Sequence, residues 1–278
     1  MTTELDLMTK LIKKVIYYGN ESEQFGQLIK PKEIENITVP VVIVIHGGYW
    51  KDNHSLDSYA TNAIVDYLTS FNVAIWNLEY RRMESSGRNN KAVWPSVFQD
   101  TANGIDFLAT IARQECLDLT RVLIIGHSAG GSLAVWAGCR DNIPPTSILF
   151  KATALKITSV LSIAGILNLS CCNDVDQPEQ VHRLMAGTNE QFSERYQACD
   201  PNLLHNPSLD LTIIHGKKDT AVQISQAQSY CDNAKGNIEK IFITQADHFS
   251  MLPHEGGWQM SHWQILQAAI VDKILALA

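Results

Sequence analysis

Val122-Leu123-Ile124-Ile125-Gly126-His127-Ser128-Ala129-Gly130-Gly131-Ser132-Leu133-Ala134-Val135-Trp136-Ala137 is the stretch on which the fold turns. The apolar run 122–125 predicts a strand, and the segment from Leu133 has helical periodicity. Between them a serine stands with Gly126 two positions before it and Gly130 two after. Gly-x-Ser-x-Gly at a strand-to-helix junction is the sharp turn that lifts a hydroxyl above the end of a parallel sheet. Glycines suit that turn because strand and helix backbones approach closely, where a Cβ would clash.

Outward from this turn, strand and helix patterns alternate from about residue 40 to the end. The β-branched run Val39–Ile45 reads as a strand buried on both faces. Residues 73–78, 159–163, 211–214 and 241–243 read as further strands. Helices are expected over 55–68, 97–112, 129–139, 224–233 and 258–277. Alternation of this kind predicts an α/β fold, a mostly parallel doubly wound sheet with helices on both faces. A single domain over residues 1–278 is expected. Residues 165–208 break the pattern: about forty residues without a strand, with helical segments near 177–186 and 189–198, read as a small helical lid inserted at the active edge.

The composition fits. With 278 residues and 45% hydrophobic content, the chain can bury a large core without staples. The net charge is −7, the acids are spread along the chain, and no Lys/Arg run occurs, so neither nucleic acid nor a membrane surface is an expected partner. Residues 1–18 carry charges every few positions and lack the apolar stretch of a secretory signal, and no run approaches membrane-spanning length. The six cysteines show no metal-ligand spacing and read as reduced thiols. The expectation is a cytoplasmic protein with no metal and no organic cofactor.

A serine hydroxyl needs a general base, and the base needs a group to orient it. Catalytic groups in a doubly wound sheet gather beyond the carboxyl ends of the strands. Past the strand at 211–214 comes Asp219, and past the strand at 241–243 comes His248. Ser128, Asp219 and His248 stand in the chain order expected of such a triad. Asp247 is a rival acid, but a residue adjacent to His248 is poorly placed to bond its ring. His215 reads as a structural histidine at a strand end, and His127 as facing into the fold. For the oxyanion, one donor is the N–H of Ala129, and a second is expected from the loop His46-Gly47-Gly48-Tyr49-Trp50. Tyr49, Trp50, Phe249 and Met251 leave loops at this edge and are expected to line an apolar substrate pocket.

With these pieces assembled, the chain resembles serine α/β-hydrolases of the branch that includes hormone-sensitive-lipase-like esterases and kynurenine formamidases. The resemblance rests on residues 46–50, Glu79-Tyr80-Arg81, Trp94-Pro95 with Asp100, residues 126–131, Asp219 and His248. Tyr-Trp after the paired glycines is closer to the formamidases. The resemblance implies Ser128, Asp219 and His248 as triad, and Gly47, Gly48 and Ala129 as oxyanion donors. Two places depart from it: Tyr80-Arg81-Arg82-Met83 differs from the Tyr-Arg-Leu of many such esterases, and 165–208 aligns with nothing. The expected partner is therefore a small ester or formamide, with a homodimer left open. Two alternatives stand beside this reading: a peptidase or lipase on the same fold, and a non-catalytic binding protein on a hydrolase scaffold.

Overall fold

The computed structural model describes residues 11–32, 37–87 and 92–277; the charged segment at residues 1–10 lies outside them. Eight strands form one sheet in the order β1-β2-β4-β3-β5-β6-β7-β8. They are β1 Leu11–Tyr17, β2 Phe25–Pro31, β3 Val39–Ile45, β4 Ala74–Leu78, β5 Leu117–His127, β6 Ser159–Ile163, β7 Asp210–Gly216 and β8 Ile238–Ile243. β2 pairs antiparallel with β1 and β4, and every other pairing is parallel. This is the α/β-hydrolase architecture.

Side-chain alternation along the strands builds two cores. Ile43, Trp76 and Ile124 join one buried cluster, while their neighbours Val42, Ile75 and Leu123 join the other. The first is covered by the helices α2 Ser96–Asp106, α4 Ala129–Gly138 and α7 Ser225–Asn233. The second is covered by α1 Asn62–Leu68 and α8 Met260–Ala276. The chain leaves β3 toward β4 on one side and returns to β5 on the other. The carboxyl ends of β3 and β5 therefore flank the point where strand order reverses, where doubly wound sheets bind ligands.

Three local expectations are corrected. Helix 55–68 shrinks to α1, and 55–61 becomes a series of turns. There polar side chains bond the local backbone, Ser55 N–H donating to Ser58 Oγ at 2.9 Å and Asn62 Nδ2 to Asp57 O at 2.8 Å. The helix expected over 97–112 divides at Phe107 into α2 and α3, Leu108–Glu115. Strands begin before residue 40, where none is expected: β1 and β2 form an antiparallel hairpin at one edge of the sheet.

Residues 165–208 hold two short helices, α5 Pro178–Leu184 and α6 Ser193–Cys199. Contacts tie them to α4 and to the rest of the segment. Trp136 Nε1 of α4 donates to Ala198 O at 2.9 Å. Buried Asp200 accepts from the N–H groups of Leu169 at 3.0 Å and Ser170 at 2.8 Å. The Arg195 guanidinium lies 3.6 Å above the Phe192 ring.

Candidate active site

Ser128 stands between β5 and α4 with φ +56° and ψ −123°, a conformation that costs a non-glycine residue free energy and recurs at functional turns. The flanking glycines are a packing necessity. A Cβ on Gly126 would lie 2.1 Å from Gly130 O, and one on Gly130 would lie 2.2 Å from Ile45 O. The Ser128 N–H donates to Ile163 O at 2.8 Å, which pins the turn to β6.

His248 and Asp219 reach this serine from the loops after β8 and β7. His248 Nε2 lies 2.9 Å from Ser128 Oγ, and His248 Nδ1 lies 2.7 Å from Asp219 Oδ2. An ionised carboxylate only accepts, so Nδ1 carries the ring proton and Nε2 is free to accept from the serine. Asp219 Oδ1 accepts from the N–H groups of Ala221 at 3.0 Å and Val222 at 2.8 Å. Burial works against the charge on Asp219, but hydrogen bonds from His215 and His248 outweigh it and hold the carboxyl well below the usual carboxylate range.

The neighbouring histidines and the rival acid stand outside the relay from Ser128 through His248 to Asp219. His215 is fully buried; its Nε2 donates to Val222 O at 2.8 Å and lies 3.4 Å from Asp219 Oδ2. His127 is also buried, with Nε2 2.9 Å from His248 O and Nδ1 2.9 Å from the Tyr59 hydroxyl. Asp247 points away from the His248 ring and accepts from the N–H groups of Phe249 at 3.1 Å and Ser250 at 2.8 Å.

Ala129 is the first residue of α4, so its N–H has no partner within the helix and stands at the positive end of the helix dipole. Gly47 and Gly48 follow β3 on the facing loop. That loop turns through three successive positive φ angles, +100° at Gly48, +50° at Tyr49 and +56° at Trp50. Glu79 anchors its start: His46 Nε2 lies 2.8 Å from Glu79 Oε1, and Glu79 Oε2 accepts from Leu56 N–H at 3.1 Å. Beside it, Arg81 makes a two-pronged contact with Asp100 at 2.7 and 2.8 Å. The segments Glu79-Tyr80-Arg81 and Asp100 thus brace the strand ends beneath the site.

A cavity of about 240 Å³ opens over Ser128 and His248. Tyr49 and Phe249 line it, together with Lys51, His54, Tyr59 and Asp176. Trp50 and Met251 do not, which corrects their expected place in the pocket. Trp50 is fully buried in the core under the loop, where its carbonyl accepts from Met83 N–H at 2.7 Å. Met251 is fully buried with the residues of α8, because the turn that closes with Leu252 N–H on Phe249 O sends it to the other side.

Sequence reasoning missed Asp176 and Tyr59. Asp176 comes from the 165–208 insertion, and its carboxylate accepts from the Tyr49 hydroxyl. Gln177 beside it accepts from Lys51 Nζ at 2.8 Å. A larger cleft of about 480 Å³ adjoins the first and shares His54, Tyr59 and Phe249 with it. Among the described residues, no group of three or more His, Cys, Asp or Glu side chains could hold a metal ion, and no helix is long and apolar enough to cross a membrane.

The sheet, the strained serine turn and the loops that meet above it define an α/β-hydrolase. Within that class the chain belongs to the BD-FAE family, which it matches over residues 27–233. It is 21% identical over 231 residues to Esterase LipC of Mycobacterium tuberculosis, covering 80% of this chain and 55% of that protein. It is 26% identical over 161 residues to the kynurenine formamidase-like hydrolase fscH of Fusarium equiseti, covering 52% of this chain and 51% of that one. The matches thus span about half the length of these two curated relatives. Among solved structures, a truncated carbohydrate esterase from gut microbiota superposes with TM-score 0.74 at 19% identity, covering 95% of this chain and 96% of that one. Esterase B from Lactobacillus Rhamnosis gives TM-score 0.72 at 19% identity, covering 96% and 86%. At these identities the structural likeness is one of fold.

Proposed function

We propose that this chain is a serine hydrolase that cleaves small carboxylic esters or aryl formamides through an acyl-enzyme. The observation that carries the reading is the relay from Ser128 Oγ through His248 to Asp219, with both links below 3 Å, at 2.9 and 2.7 Å. In this reading Ser128 Oγ attacks the substrate carbonyl carbon as its proton passes to His248 Nε2. Asp219 holds the ring in the productive tautomer and stabilises the imidazolium. The N–H of Ala129 and those of the Gly47–Gly48 loop receive the developing oxyanion. As the tetrahedral adduct collapses, the imidazolium returns the proton to the departing alcohol or amine. A water then attacks the acyl-serine with His248 again as base, and the acid is released with the serine restored.

The cavity over Ser128 supports a short acyl group, formyl to about butyryl, with an aromatic leaving group placed against Tyr49 and Phe249. The family and the esterase and formamidase-like names among the relatives support the choice of bond. The test is a substrate panel that compares N-formyl-kynurenine with aryl esters of two- to eight-carbon acids, run beside Ser128→Ala and a fluorophosphonate label. Labelling at Ser128 with turnover of the panel is the expected result. An unlabelled protein would be a binder on a hydrolase scaffold.

A further inference from the structure

We propose that Tyr59 and His127 form a brace that sets the oxyanion loop against the base, making Tyr59 a positioning residue for the hydrolysis proposed above, on which this inference rests. Tyr59 is 4% exposed and lines the Ser128 cavity, yet it belongs to neither the triad nor the donor set. Its hydroxyl lies 2.9 Å from His127 Nδ1, and His127 Nε2 lies 2.9 Å from the backbone carbonyl of His248.

The protons in this chain can be placed. A carbonyl only accepts, so His127 Nε2 carries the hydrogen. Burial, reinforced by the neighbouring His248, pushes the His127 pKa down to about 3, so the ring is neutral at working pH. Nδ1 is then bare, and the Tyr59 O–H donates to it. The phenol oxygen is left with its lone pairs facing outward.

The glycine loop rests directly on this pair. A Cβ on Gly47 would lie 2.5 Å from the Tyr59 hydroxyl oxygen and 2.7 Å from His127 O. The loop itself is irregular, with its three positive φ angles. An oxyanion donor is useful only when held within a few tenths of an ångström of the position the oxygen will take. The Tyr59 hydroxyl packs directly against Gly47, and the same hydroxyl, through His127, ties to the backbone of His248. One rigid unit thus registers donor loop and base against each other. Because its proton is committed to His127, Tyr59 acts through the loop and does not itself donate to the oxyanion.

The test is a cycle of Tyr59→Phe, His127→Gln and the double variant, with kcat measured per site titrated by a fluorophosphonate so that unfolded protein is not counted. Tyr59→Phe keeps the ring and loses the hydroxyl. His127→Gln can still donate to His248 O but has nothing at the Nδ1 position. Each single variant should lose about ten- to hundredfold in kcat, with KM within about threefold. Affinity for an aryl trifluoromethyl ketone, which mimics the oxyanion, should fall by the same factor as kcat/KM. The double variant should be no worse than the poorer single one. Wild-type kcat in Tyr59→Phe, unchanged ketone affinity, or losses that multiply in the double variant would each overturn the brace. If the wild-type chain itself fails to label at Ser128, it is the hydrolase reading that falls.

Discussion

Tyr49 and Asp176 meet across the mouth of the Ser128 cavity, the phenol hydroxyl donating to the carboxylate. One residue belongs to the loop after β3 and the other to the 165–208 insertion. Asp176 N–H also donates to Ala221 O at 2.9 Å, two residues beyond Asp219. A single carboxylate-bearing residue therefore ties the insertion to both the loop of candidate donors and the loop of the candidate acid. The insertion is latched there, with Lys51 and Gln177 as a second tie. Asp176→Ala should raise KM by about tenfold for aryl substrates, as one wall of the pocket loosens, with a smaller fall in kcat. Asp176→Asn, which still accepts from Tyr49, should recover most of that loss. Steady-state kinetics on one aryl acetate decides between them, and equal effects of Ala and Asn would mean that charge matters here and the hydrogen bond does not.

The triad reading makes a sharper claim. Ser128→Ala should reduce turnover by at least about ten-thousandfold with an unchanged melting temperature, since Ala129 and the glycines keep their positions. Asp219→Asn should cost about ten-thousandfold as well, because an amide presents a donor to His248 Nδ1 and selects the wrong tautomer. Asp247→Asn should stay within about fivefold of wild type, as its carboxylate serves two backbone N–H groups of an exposed turn. Comparable losses at Asp219 and Asp247 would remove Asp219 from its role.

Stability should fall on mild acidification, and the sign follows from His127. Its folded pKa of about 3 lies far below the usual value near 6.5, so between those pH values the unfolded chain binds a proton that the folded chain refuses. Folding is therefore favoured less as pH falls from about 6.5 toward 3. Asp219 adds to the loss only at the acid end of this window: its carboxyl is held below the ordinary range, so its contribution is intact above about pH 4 and fades below. Melting temperatures from pH 7 to pH 4 should decline steadily in the wild type and more gently in His127→Gln. Parallel curves would mean that other groups govern the acid limb.

How much of this was legible beforehand depended on what kind of signal each residue leaves. Strands β3 to β7 carry β-branched or apolar runs because both faces of the sheet are covered there, and those runs show in one dimension. β1 is an edge strand with Lys13 and Lys14 at its centre and little buried surface, so it leaves no such trace. Ser128, Asp219 and His248 were readable because each follows a strand by a few residues. Tyr59 sits in a stretch of turns, and its partners, Gly47 and His127, come from the ends of two other strands; no spacing announces that meeting. Trp50 and Met251 were assigned to the right loops but the wrong side, since adjacent loop residues diverge and the chain alone does not say which way each side chain turns.

Phe249 is where that direction matters most for specificity. Its ring forms part of the wall between the 240 Å³ cavity at Ser128 and the adjoining 480 Å³ cleft, together with His54 and Tyr59. The ring stands edge-on to His248, with centroids 4.9 Å apart, and at 5.3 Å from His254 across the cleft. His54 and Tyr59 are less removable, since Tyr59 is tied to His127 and the His54 carbonyl accepts from Arg82. Phe249 is partly exposed and its side chain makes only ring contacts in this wall. Phe249→Ala should therefore join the two spaces while leaving the His248 backbone in place. Each methylene that gains an apolar wall is worth about 1 kcal/mol, so the octanoate-to-acetate ratio of kcat/KM should rise by at least about tenfold. Acetate turnover itself should fall only a few fold, through lost packing on His248. The measurement is an aryl ester series from two to ten carbons in wild type and variant. A variant that keeps the short-chain preference would show that the cleft is closed off from Ser128 by the other two rings.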